Sequence, residues 1–291
     1  MWTHKVIIWF GLLIMIPSLI MGLLMGGFFF FFNEEISSFF FNPSAPTPDN
    51  VPLYLTLYFV FLFGFIIFSY VMMALSFAGV LKGTLDLENR EDKMSFGELW
   101  RATLPYVGRV FGVFFLVFVV IFVFFGGVMF IGAILGTITA GIGFLCLMPL
   151  FLLILPLEFI AYILASLAMS AVIADDLGVF DSLRRARDVL KQKFWSLVVM
   201  GIILFFIQMA LSIIIMVPMQ IAQFALIFSM DMTNPMPDPS TFFKPFALLM
   251  AIFVPVSSLV QGLGLTYANA AWMLSYLEIT APSSEQEVER E

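Results

Sequence analysis

Apolar residues in this chain run in six long blocks, over positions 6–32, 53–81, 106–135, 142–173, 197–228 and 244–278. Each exceeds the ~20 residues that an α-helix needs to cross a hydrocarbon core of about 30 Å. Strands of a membrane barrel would instead alternate over about ten residues. The stretch Gly112–Phe125, GVFFLVFVVIFVFF, has no polar face, as expected of a helix surrounded by lipid or by other apolar helices. The pattern predicts an all-α integral membrane protein whose six transmembrane helices form three hairpins. Residues 1–281 would make one polytopic membrane domain, and 282–291 a disordered acidic tail.

The polar connections divide into two kinds. Asn33–Pro52, a Gly-rich turn at Gly136–Gly143, and Ser229–Phe243 link the members of each hairpin. The first and third carry Asn42-Pro43 and Asn234-Pro235, which favour turns over continued helix. The other two connections contain segments that align without gaps at a shift of 84 residues: Ser95–Arg109, SFGELWRATLPYVGR, and Val179–Lys193, VFDSLRRARDVLKQK. Phe96 matches Phe180, Leu99 matches Leu183, Arg101 matches Arg185, Ala102 matches Ala186 and Arg109 matches Lys193. An internal repeat of interfacial helix plus hairpin follows from this alignment. The first hairpin would lack its leading helix.

In the second copy, Phe180, Leu183, Ala186, Leu190 and Phe194 recur at steps of three and four, the spacing of one helix face. Arg184, Arg185, Arg187, Lys191 and Lys193 occupy the remainder. Two amphipathic interfacial helices are therefore expected, over about 94–104 and 178–194, with Phe and Leu dipped into the acyl boundary. The five cations of the second are candidate contacts for anionic lipid headgroups, each worth about 1 kcal/mol near a charged surface. Their alternative role is to orient the chain.

Charge supports the same layout. With the N-terminus in the cytoplasm, twelve of the thirteen Lys and Arg residues fall on the cytoplasmic side and only Lys244 lies outside. This is the positive-inside bias, and it predicts a multi-pass protein of the cell membrane with both termini cytoplasmic. The net charge of −7 is misleading, because Glu278, Glu285, Glu287, Glu289 and Glu291 crowd the C-terminal end while the inner connections stay basic. The first apolar block has a thin basic lead (His4, Lys5) and no clear small-x-small cleavage site, so it reads as a retained span. A single cysteine, Cys146, excludes an intramolecular disulfide.

Soluble-enzyme chemistry has little to work with. At 62% hydrophobic and 11% charged, the chain is far from a soluble domain, in which about a quarter of residues are charged. The sole histidine, His4, is expected in a loop, and there is neither a His/Cys cluster for zinc nor a phosphate-binding Gly-rich fingerprint. Met230, Met232 and Met236 lack the His or Cys that a soft-metal site would add, and Gly132-x-x-x-Gly136 reads as close helix packing. No metal and no cofactor are expected. Glu158 is the ionisable residue nearest the middle of a span, where a charge costs roughly 2.5–3.5 kcal/mol on insertion scales. Residue counting places Gln208 and Gln261 near the same depth, so Glu158, Gln208 and Gln261 form a candidate polar midplane locus. The competing reading is a neutral Glu158 hydrogen-bonded to a neighbouring helix. Pro17, Pro149, Pro156, Pro218 and Pro255 interrupt the spans and predict kinks.

The segment Met169–Ile202 carries an acidic turn, Asp175-Asp176-Leu177-Gly178, then Ser182-Leu183-Arg184-Arg185-Ala186, then Lys193-Phe194-Trp195 before the next span. In these features it resembles the membrane domain of glycerophosphoryl diester phosphodiesterases and related prokaryotic six-span proteins. In that family the phosphodiesterase chemistry resides in a separate soluble barrel, for which this chain has no room, so the resemblance implies no catalytic residue here. The expected function is that of a non-enzymatic accessory or scaffold module engaging membrane lipid, with no nucleic-acid partner. The alternative is a small-solute or lipid transporter or channel using the Glu158 locus.

Overall fold

A computed structural model describes residues 2–31, 51–89, 95–139, 142–228 and 240–281. Most of the connections Asn33–Pro52 and Ser229–Phe243, with Met230, Met232 and Met236, as well as Arg90, Lys93 and the tail 282–291, lie outside the described residues, as do the side chains of Cys146 and Lys244. Eight helices and no strand occur among the described residues: α1 (Trp2–Leu12), α2 (Met15–Phe31), α3 (Val51–Asn89), α4 (Phe96–Ile138), α5 (Ile142–Ala174), α6 (Val179–Gln192), α7 (Phe194–Phe228) and α8 (Ser240–Thr280). Six stretches within them are long and apolar enough to cross a membrane. The chain is thus all-α, with the composition and helix lengths of a multi-pass membrane protein.

Boundaries differ from the expectation in three places, each for a local reason. The first apolar block is broken at Leu13–Ile14 into α1 and α2. Pro17 has no N–H to give the Leu13 carbonyl, which accepts instead from the Ile16 N–H at 3.1 Å, a tighter three-residue closure. His4 lies inside α1, not in a loop. The segment around 94–104 is no separate helix: it is the opening of the 43-residue α4, which continues through Pro105. A capping box starts it, with the Ser95 side chain accepting from the Glu98 N–H (3.3 Å) and Glu98 accepting from the Ser95 N–H (2.8 Å). In the second copy a break does occur, at Lys193, so α6 and α7 are distinct. Helix also runs on through Pro149, Pro156, Pro218 and Pro255; only before Pro17 does it stop.

Two compact units divide the chain. One comprises Met1–Ile7, Phe77–Phe205 and Tyr267–Glu291; the other comprises Ile8–Ser76 and Phe206–Thr266. In the first, α5 is the central pillar: 56% of its apolar window is buried, against 6% for α4. Ile163, Leu167, Ala168, Ala171 and Val172 are wholly enclosed. The buried hydroxyls of Ser166 and Ser170 donate back to the carbonyls four residues earlier, which spares α5 unpaired polar groups. α4 and α6 both pack on α5, and α6 touches α4 where a Cβ on Gly112 would come within 2.8 Å of Val179. Phe115, Phe122, Val123 and Phe130 of α4 stay exposed. An exposed apolar face of this kind marks a membrane or protein interaction surface.

In the second unit α1 and α8 cross closely. A side chain on Gly11 would overlap Thr266, and one on Gly262 would lie 3.2 Å from the Gly11 carbonyl. The Ser76 hydroxyl donates to that same carbonyl at 3.4 Å. Small residues at a close backbone approach are the usual basis of helix association where lipid replaces water.

Candidate functional site

The best-built polar feature is the four-residue turn between α5 and α6, inside the first unit. The Asp175 N–H closes the last turn of α5 on Ala171 O at 3.1 Å. Asp176 then adopts φ 53°, a left-handed conformation that Asp tolerates better than most residues. Gly178 caps α6, and its carbonyl receives the Ser182 N–H at 2.9 Å.

Each aspartate of this turn is gripped by a different part of the unit. Asp176 Oδ1 accepts from Arg109 Nη1 of α4 at 2.6 Å, and its backbone carbonyl accepts from the same nitrogen at 3.3 Å. Asp175 Oδ2 accepts from the Tyr276 hydroxyl of α8 at 2.5 Å and pairs with Arg185 Nε of α6 at 3.4 Å. The Tyr276 hydroxyl and the Asp175 carboxylate together hold the Arg185 guanidinium above its ordinary pKa, against the opposing effect of its partial burial. The ring of Tyr106 has two cations over it, with Arg109 5.9 Å and Lys82 6.0 Å from its centroid. Lys82 also pairs with Asp86 at 2.9 Å. One turn back on α8 from Tyr276, Trp272 is fully buried and edge-on to Tyr162 of α5, 6.1 Å between ring centroids. The turn therefore fixes both the position and the rotation of α6.

That rotation decides what α6 presents. Ser182, Ala186, Val189 and Leu190 are its buried residues. Phe180, Arg184, Arg187 and Lys191, spaced by four, three and four, share the opposite stripe, and all are exposed. Lys193 and Trp195 are exposed just beyond. The expected apolar face is thus split: Ala186 and Leu190 are consumed by packing, while Phe180 is 68% exposed beside the cations. The repeat copies are not equivalent in packing either, since Leu99 and Thr103 are buried whereas their counterparts are the half-buried Leu183 and the exposed Arg187.

All five candidate headgroup contacts, Arg184, Arg185, Arg187, Lys191 and Lys193, are exposed, and Arg185 is engaged with Asp175. Arg184 also lies 3.6 Å from Asp181, a pair so exposed that it constrains little. Glu158 is exposed at the middle of α5 in the first unit. Gln208 and Gln261 belong to the second. There Gln208 of α7 lies against Gly264 of α8, one turn from Gln261, in space that a side chain on Gly264 would take. Among the described residues no group of three His, Cys, Asp or Glu could hold a metal. The roles of Tyr276, Tyr106 and Arg109 went unread in the sequence. The one available signal was their position near the ends of apolar blocks, beside acids of other connections. Comparison with protein-family models, with known proteins and with solved structures yields no match to this chain.

Proposed function

We propose that the chain is a non-enzymatic multi-pass protein of the cell membrane, an accessory or scaffold module whose α6 engages anionic lipid headgroups on the cytoplasmic side. The observation that carries this reading is the exposed stripe Phe180–Arg184–Arg187–Lys191 on a helix held in place by the acidic turn. A ring able to enter the acyl boundary beside three unburied cations matches the chemistry of a membrane interface. A docked helix also avoids the ordering entropy that a floppy basic segment would lose on binding. The positive-inside bias of the sequence supports the orientation.

The test is reconstitution of the full chain in nanodiscs of mixed phosphatidylcholine and phosphatidylglycerol, followed by assay of the lipids retained around the protein. Wild type should enrich phosphatidylglycerol, and added salt should weaken the enrichment. Replacing Arg184, Arg187 and Lys191 together by Gln should abolish most of it, a loss of up to about 3 kcal/mol at ~1 kcal/mol per cation. Equal enrichment by wild type and the triple variant would refute the reading.

A further inference from the structure

The second unit contains a slot of about 540 Å³, bounded by Ile14–Gly22, by Phe65–Met73 of α3 and by Phe246–Val254 of α8. We propose that this slot is a binding site for one hydrocarbon chain of a membrane lipid. The inference shares with the proposed function only the premise that the apolar helices lie in a bilayer.

Shape is the first argument. From Phe65 to Met73 on α3 and from Phe246 to Val254 on α8 the lining advances eight positions, roughly 12 Å at about 1.5 Å per residue. On α8 they fall at Phe246, Met250 and Val254, strictly four apart, so the wall is one stripe of a single helix face. The third wall is the segment after the Leu13–Ile14 break, with Pro17 and Ser18 at its start. Walls that run along helices in this way allow a linear chain to lie between them.

Chemistry is the second. Only Ser18, Ser69 and Tyr70 bring hydroxyls to the lining, and the Ser69 proton is already given to the Phe65 carbonyl at 2.8 Å. Water needs two to four polar partners to occupy a cavity, and this lining does not converge them. The volume lies within the range of about 300–1,000 Å³ typical of small-molecule sites. Met21, Met73 and Met250 each contribute an unbranched, polarizable side chain, which adapts to a partner lacking fixed shape. Nearly all the lining belongs to stretches apolar enough to cross a membrane, so the surrounding medium itself supplies the ligand.

The experiment uses the full chain in nanodiscs containing a phosphatidylcholine analogue with a photoactivatable diazirine in mid-chain. Its zwitterionic headgroup keeps the result independent of the basic stripe. Crosslinks should concentrate on Phe65–Met73 and Phe246–Val254, several-fold above those on the exposed Phe115–Phe130 face of α4. Filling the slot by Ser69→Phe or by Met73→Trp should reduce slot labelling to the α4 level and leave α4 labelling unchanged. Labelling of the slot no greater than that of α4, or undiminished in a folded filler variant, would overturn the proposal. Should both variants fail to fold, the wild-type crosslink map alone decides.

Discussion

The Tyr276 hydroxyl donates a 2.5 Å hydrogen bond to the Asp175 carboxylate across 101 residues of chain, tying α8 to the turn that launches α6. Tyr276 is completely buried, so its hydroxyl has no alternative partner in solvent. A hydrogen bond to a charged acceptor is worth about 1.5–3 kcal/mol. Tyr276→Phe should lower stability by that order, read from the thermal midpoint in detergent. Asp175→Ala should cost more, because it removes at once the acceptor of the hydroxyl and the ion-pair partner of Arg185. The double variant should fall well short of the sum, as expected for residues in contact. Additive losses would show that the bond contributes nothing.

Asp176 combines a positive φ with an exposed ion pair, and the two effects separate by substitution. Asp176→Gly relieves the backbone while losing the Arg109 contact, a surface pair worth about 0.2–1 kcal/mol. It should change stability little. Asp176→Val forces a β-branched residue into the same conformation and should cost about 1–3 kcal/mol. Equal midpoints for the two variants would contradict the strain.

At the α1–α8 crossing, a side chain on Gly11 overlaps Thr266. Gly11→Val should cost about 1–3 kcal/mol through overpacking. Thr266→Gly, made in the same chain, should recover part of the loss. No recovery in the double-mutant cycle would mean that the two positions do not meet.

Docking of α6 depends on Gly112, since a Cβ there would sit 2.8 Å from Val179. With Cys146→Ala as background and a cysteine introduced by Ser182→Cys, maleimide should react slowly, because Ser182 is fully buried. Adding Gly112→Leu should accelerate the labelling several-fold as α6 lifts from α4. Unchanged labelling would show that α6 is held by the acidic turn alone.

The membrane class and the number of apolar spans were legible in the sequence because run length and composition are local properties. The helical character of Val179–Gln192 was legible too, from its three- and four-residue spacing. Which side of it faced the protein was not. Phe180 and Ala186 belong to one apolar arc by spacing, yet one is exposed and the other enclosed. Docking on α4 and α5, set by Gly112 and the two aspartates, made that choice. The proline-rich spans teach the same lesson in reverse: Pro17 halts its helix while Pro149, Pro156, Pro218 and Pro255 do not.

What the sequence determined by itself was therefore everything that follows from the transfer of apolar runs out of water. What tertiary structure alone decided was rotation and partnership: the stripe that α6 presents, the union of Asp175 with Tyr276 and Arg185, and the slot along Phe65–Met73. A helix that is apolar on every side carries no periodic signal to say which side packs. Its orientation is settled only when small residues and a few polar groups find their counterparts on other helices.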